Sequence, residues 1–222
     1  NNALSGIDQA LWDIKAKRAG MPLYQLFGGK CREAVPVYVH ASGESFAQVE
    51  EAARAYMEQG FRYVRCQAAV PGYSTYGNRS MNSFAALNLS QTRTWEPTPY
   101  VTMVPDLFAH LRGALGAGVE LLHDVHERIP AIQGVWLAKA LEEYRLFFLE
   151  DLFAPEDVDY FRMVRQQTAT PLAMGELFVN QAEYVPLIRE RLIDFVRVHI
   201  SDIGGLTPAR KLAAFCEYMG IR

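Results

Sequence analysis

Three carboxylates recur at an even beat. Asp124, Glu150 and Glu176 stand 26 residues apart. Each closes a short apolar run: Val-Glu-Leu-Leu-His before Asp124, Leu-Phe-Phe-Leu before Glu150, and Pro-Leu-Ala-Met-Gly before Glu176. An amphipathic helical stretch separates each run from the next. A strand, a helix and two loops together take about that many residues. The beat therefore predicts three successive β/α units, each presenting one acid at the C-terminal end of its strand. In a parallel α/β barrel that end is where chemistry is done. Three converging carboxylates without a cation would repel one another, so the pattern reads as the cage of a hard divalent metal.

The rest of the chain keeps the same rhythm. A helix is expected over Ala3–Ala19, with Ile7, Ala10, Leu11 and Ile14 on one face, Ser5 as N-cap and Asp8 three residues on. Strands are expected at Val35–Val39, running into His40, and at Tyr63–Gln67, with a helix at Phe46–Gln59 between them. From Ala68 to Pro99 no period is visible, and the stretch is rich in Ser, Asn, Thr, Gly and Pro. It reads as an insertion over about 68–99, either a functional lid or a disordered loop. The rhythm resumes with a helix near Pro105–Leu115, strands at Val119–Asp124, Leu146–Glu150, Leu172–Gly175 and Phe195–His199, and helices at Ala131–Tyr144, Val158–Gln167, Gln181–Arg191 and Pro208–Met219.

Six strands and the start of a seventh fit an incomplete (β/α) barrel, since a closed one needs eight. An open doubly wound sheet is the alternative, but it offers one crevice at a switch point rather than acids on three successive strands. The chain opens inside a helix and stops at a strand start, so residues 1–222 are expected to be a piece of a longer barrel. Its 222 residues, half of them hydrophobic, suffice for a sizeable core. With 22 basic and 25 acidic side chains and no basic tract, nucleic acid is not an expected partner. No apolar run approaches a membrane span. Three widely spaced cysteines (Cys31, Cys66 and Cys216) suggest a reducing compartment, hence a cytoplasmic protein.

Side chains on a strand alternate, so positions of equal parity share a face. Asp124 and His126 point the same way, and His123 points to the other side. His126 is thereby a candidate general acid or base. Arg65 and Gln67 share parity on the second strand, as do Arg197 and His199 on the sixth, and His40 takes the matching place on the first. Either arginine could pair with a neighbouring acid, or serve a substrate carboxylate or a phenol. Asp151 reads as a supporting neighbour of Glu150, and Asp202 as a loop cap. None of the five lysines falls at a strand end, which argues against a Schiff-base or lysine-base mechanism. The base is then a His, Tyr or carboxylate. Tyr73 and Tyr76, in the loop after Arg65, are tyrosines that a nearby cation could activate.

These residues also carry a resemblance. Ala3-Leu4-Ser5-Gly6-Ile7-Asp8-Gln9-Ala10-Leu11-Trp12-Asp13-Ile14, running on to Pro22-Leu23-Tyr24-Gln25-Leu26-Phe27-Gly28, resembles the signature of the mandelate racemase/muconate lactonizing enzyme branch of the enolase superfamily. Val64-Arg65-Cys66-Gln67, Val70-Pro71-Gly72, Tyr76-Gly77, Asp124-Val125-His126, Arg197-Val198-His199-Ile200-Ser201 and Ile203-Gly204-Gly205 look like its D-mannonate dehydratase group. The resemblance implies Mg²⁺ on Asp124, Glu150 and Glu176, Tyr76 assisted by Arg65 as base, His126 as acid, and His40 and Arg197 on the substrate, with His199 in support. It implies dehydration of a sugar acid, D-mannonate or D-gluconate, to a 2-keto-3-deoxy acid through a metal-stabilised enediolate. The expected partners are that sugar acid and further copies of the chain, with Phe84–Trp95 a candidate subunit contact. The interval from Gly72 to Tyr76 is about one residue short of the group's pattern, and Tyr73 is the rival base. The capping domain and the last strands of the barrel are expected to be absent. A catalytically weak relative that binds sugar acids, and a hydroxy-acid racemase, are the competing functions.

Overall fold

Helix and strand alternate through the computed structural model, which describes residues 1–70 and 95–222. In chain order the elements are α1 (Asn2–Ala19), α2 (Leu23–Leu26), β1 (Tyr38–Gly43), α3 (Phe46–Glu58), β2 (Tyr63–Ala68), α4 (Pro97–Leu115) and β3 (Glu120–Asp124). They continue with α5 (Ala131–Leu141), β4 (Phe148–Glu150), α6 (Val158–Arg165), β5 (Leu172–Met174), α7 (Gln181–Arg189), β6 (Phe195–Val196) and α8 (Leu206–Met219). This is a parallel α/β architecture of six strands, as the beat of the sequence requires. The chain divides into two compact units. One comprises residues 37–153 and 162–171, the other residues 1–36, 154–161 and 172–222.

The first unit holds β1 to β4. Its register pairs His40 with Arg65, Arg65 with Leu122, and Asp124 with Glu150. The two acids therefore stand side by side on neighbouring strands. The helices bury their apolar stripes on this sheet. Val49 and Ala53 of α3, Leu107, Phe108 and Leu111 of α4, and Leu137 and Leu141 of α5 have no exposed surface. Each such leucine or phenylalanine contributes about 1.5–3 kcal/mol. Ser45 caps α3 by accepting the Gln48 amide. Gly134 of α5 lies so close to the strand layer that a Cβ there would sit 2.6 Å from the Phe153 ring.

Several boundaries differ from those read in the sequence. The first strand starts at Tyr38 rather than Val35, which puts His40 in its middle. The helix after the insertion begins at Pro97, not Pro105. Its prolines disguised it, yet proline is welcome in a first turn, where its missing N–H has no partner to lose. Pro105 is accommodated inside. The last strand is only Phe195–Val196, so Arg197 and His199 lie beyond it.

In the second unit, β5 and β6 pair in parallel, and α8 packs beside α1. Ser5 and Asp8 do not cap their own helix, which starts three residues earlier than Ser5 under Asn1. Ser5 is fully buried, and its hydroxyl accepts the Gly204 amide at 3.0 Å. Asp8 Oδ2 accepts the Thr207 amide at 3.0 Å. Both serve the start of α8, whose own N-cap, Gly205, has no side chain to do so. A Cβ at Gly205 would lie 2.5 Å from Asp8 Oδ2, and φ there is +101°. Burial alone would raise the Asp8 carboxyl, but the Thr207 hydroxyl and the amides of Thr207 and Leu206 hold it below the usual carboxylate range. The apolar stripe of α1 is exposed: Ile7 and Leu11 are each 60% exposed. Among the described residues no helix is long and apolar enough to cross a membrane.

Candidate active site

The four strands of the first unit bring His40, Arg65, Asp124, His126 and Glu150 into one network. Arg65 Nη1 donates to Asp124 Oδ2 at 2.8 Å and lies 3.7 Å from Glu150 Oε1. Arg65 is 3% exposed, Asp124 1% and Glu150 not at all. Its Nη2 donates to His40 Nδ1 at 3.2 Å, which leaves His40 with its proton on Nε2. Gln67 donates to the Asp124 carbonyl at 3.1 Å. Of the two readings the sequence offers for Arg65, the structure displays the ion pair. Tyr73 and Tyr76 lie outside the described residues.

His126 Nδ1 stands 3.4 Å from Asp124 Oδ2, with the imidazole about one-third exposed. Burial by itself would raise the Asp124 carboxyl. The His126 ring and the Arg65 charge outweigh it and keep the group below the usual range. His126, Glu127 and Asp151 all have left-handed backbone, with φ of 60°, 56° and 44°. Such conformations cost energy in residues with a Cβ. They persist here because the loops are bonded to each other beyond the strand ends: the Val125 amide donates to the Glu150 carbonyl and the Glu127 amide to the Asp151 carbonyl, at 2.9 and 2.8 Å.

His123 faces away, as alternation requires. It is fully buried against α4, where Tyr100 donates to its Nε2 at 2.7 Å and its Nδ1–H donates to the Cys66 carbonyl at 2.9 Å. Burial pushes its pKa down to about 4. One residue the sequence did not single out joins the network. Tyr38 donates to Glu150 Oε2 at 3.4 Å and stacks on His40. Its parity with His40 was the available signal. Asp151, read as a supporting neighbour, comes with Asp124 and His126 into a group whose potential ligand atoms lie within 4.8 Å of one another.

The second unit carries Glu176, Arg197 and His199. Gly175, with φ of +136°, lets the backbone turn so closely that a Cβ would meet the Arg197 carbonyl at 2.7 Å. Glu176 follows directly. Arg197 Nη1 donates to its Oε2 at 2.9 Å, and His199 Nε2 stands 3.9 Å from its Oε1.

A hard divalent cation suits these donors, which are carboxylate oxygens. Asp124 Oδ1 supplies the structural test. It is buried and has no hydrogen-bond partner among the described residues. A buried carboxylate oxygen in that condition costs free energy unless a cation or donor meets it.

Comparison with known proteins agrees with this architecture. Residues 47–222 match the enolase C-terminal domain-like family, and residues 1–28 match the mandelate racemase/muconate lactonizing enzyme N-terminal domain. The chain belongs to the enolase superfamily, in its mandelate racemase/muconate lactonizing enzyme branch. A short stretch assigned to the capping domain is thus present, which the expectation of its complete absence did not include. Among relatives, D-galactonate dehydratase family members from Pantoea ananatis and Salmonella enteritidis are each 50% identical over 236 residues, covering 100% of this chain and 56% of theirs. A crystal structure of an enolase from Pantoea ananatis with bound D-gluconate and Mg matches with a TM-score of 0.88 at 47% identity, covering 100% of this chain and 56% of that one. The 3,6-anhydro-D-galactonate cycloisomerase from Zobellia galactanivorans shares the fold, with a TM-score of 0.77 at 24% identity over 99% of this chain and 54% of its own. The chain spans about half the length of the curated relatives it matches.

Proposed function

We propose that the protein containing this chain is a Mg²⁺-dependent sugar-acid dehydratase, with D-mannonate the leading substrate and D-gluconate the second. The observation that carries the reading is the buried Arg65–Asp124–Glu150 cluster, with Asp124 Oδ1 lacking a hydrogen-bond partner among the described residues and His126 beside it. The relatives named for D-galactonate dehydration and the neighbour holding D-gluconate and Mg support the substrate class.

In this reading Asp124, Glu150 and Glu176 hold Mg²⁺, whose charge, when the ion is bound, favours loss of a proton α to the substrate carboxylate. Tyr76 takes the C2 proton, its phenol made more acidic by the positive charge of Arg65. His126 gives a proton to the departing C3 hydroxyl. His40 and Arg197 contact the substrate, a role in which guanidinium and carboxylate geometries match, and His199 supports them.

The test is the full-length protein incubated with Mg²⁺ and a panel of aldonates that includes D-mannonate, D-gluconate and D-galactonate. A 2-keto-3-deoxy acid from D-mannonate is the expected product. Absence of keto acid from every aldonate overturns the reading, and tight aldonate binding without turnover would identify a non-catalytic relative. Deuterium exchange at C2 without water loss would point to a racemase. Tyr76→Phe is expected to abolish turnover and keep Mg²⁺ binding. Unchanged turnover would move the base to Tyr73 or elsewhere.

A further inference from the structure

Asp202 has no role in the reading above, and its place in the sequence suggests only a loop cap. Its side chain does something else. Asp202 Oδ2 pairs with His199 Nδ1 at 3.1 Å, while its Oδ1 accepts the side-chain amide of Asn2 at 2.7 Å. His199 in turn presents Nε2 to Glu176 Oε1 at 3.9 Å, and Arg197 holds Glu176 Oε2 at 2.9 Å. Hydrogen bonds link Asn2, Asp202 and His199, and His199 Nε2 lies within 3.9 Å of Glu176, all within one compact unit.

The tautomer follows from the bonding. A carboxylate can only accept, so His199 Nδ1 must carry hydrogen toward Asp202. Nε2 is then the atom left facing Glu176. Without Asp202 the ring could turn either nitrogen or its carbon edge to Glu176, because its side chain is 45% exposed. Glu176 itself is only 15% exposed. Its carboxylate is held on one oxygen by Arg197, and His199 Nε2 lies 3.9 Å from the other, so a turn of the ring changes what that oxygen faces.

We infer that Asp202, held by Asn2, is a positioning residue that fixes the His199 ring and thereby presets the Glu176 carboxylate for the metal. The inference rests on Glu176 being a Mg²⁺ ligand, as proposed above. Residues behind a ligand commonly set metal affinity by a factor of 10 to 100 when removed. With the Asp202 side chain 26% exposed and His199 45%, the lower end of that range is expected. Asn2 falls in the stretch that matches the N-terminal domain, so a residue of that stretch would tune an acid of the barrel.

Calorimetric titration of the full-length protein with Mg²⁺, without any sugar acid, tests this directly. Asp202→Ala is expected to weaken Mg²⁺ binding about tenfold. Asp202→Asn keeps an acceptor for His199 Nδ1–H and should restore most of the affinity. The thermal midpoint of the metal-free protein should be nearly the same in wild type and both variants, which a merely structural role would not give. Raising Mg²⁺ should return kcat of Asp202→Ala toward the wild-type value. Equal Mg²⁺ affinity in wild type and Asp202→Ala overturns the inference and leaves the dehydratase reading standing. So does a loss of affinity that Asp202→Asn does not relieve. No Mg²⁺ binding by the wild type overturns both.

Discussion

Asp124 and Glu176 occupy equivalent beats of the sequence and make nearly the same bond, yet they live differently. Arg65 meets Asp124 at 2.8 Å with both side chains almost wholly buried. Arg197 meets Glu176 at 2.9 Å with side chains 25% and 15% exposed. Distance alone would rate the two pairs alike. Burial separates them, because a charge without water depends on its partner, whereas a charge near the surface can turn to solvent. Removing one partner of the first pair would strand a buried charge. The second, closer to solvent, is the one whose loss should weigh less on folding.

Matched substitutions can break that contrast. Arg65→Met removes the guanidinium from beside the buried acids Asp124 and Glu150, and should cost about 3–5 kcal/mol in urea unfolding. Added Mg²⁺ should recover part of the loss, since it restores positive charge at the same carboxylates. A loss below about 1 kcal/mol would show the pair to be energetically idle.

A smaller effect is expected within the more open unit, at Asp8. Its carboxylate holds amides at the start of α8, so Asp8→Ala should cost about 1 kcal/mol at neutral pH, the worth of a lost helix cap. Its folded-state pKa lies below the ordinary value. The stabilisation is therefore complete above the unfolded pKa and fades as pH falls through the folded one. The gap between wild type and variant should close in acid. A gap that stayed constant with pH would assign the effect to packing rather than charge.

The smallest stability change is expected for Arg197→Met, at most about 1 kcal/mol, the usual worth of a partly exposed pair. Its consequence should instead be a raised KM for the sugar acid. Equal stability losses for Arg65→Met and Arg197→Met would dissolve the comparison.

Much of the first unit was legible because two periods coincide in it. The 26-residue beat located the strand ends, and alternation along β3 separated Asp124 from His123. The second unit was harder to read. The sixth strand is two residues long, so parity says nothing about Arg197 and His199, and their convergence on Glu176 comes from loop geometry. Ser5 and Asp8 have the spacing of a local cap, but the bonds they make reach 199 residues along the chain. Local patterns carry no information about partners so distant. The stripe of Ile7, Leu11 and Ile14 was real as a stripe, but its period does not say what, if anything, it meets.

The Ser5 and Asp8 bonds have a bearing on how the protein can be divided. Similarity assigns residues 1–28 to one domain and α8 to another, whereas hydrogen bonding makes them a single piece. A cut placed after Gly28 would follow the family boundary and still remove two acceptors from the opening turn of α8. Inheritance and cohesion draw different borders through this molecule, and only the second is a safe place for scissors.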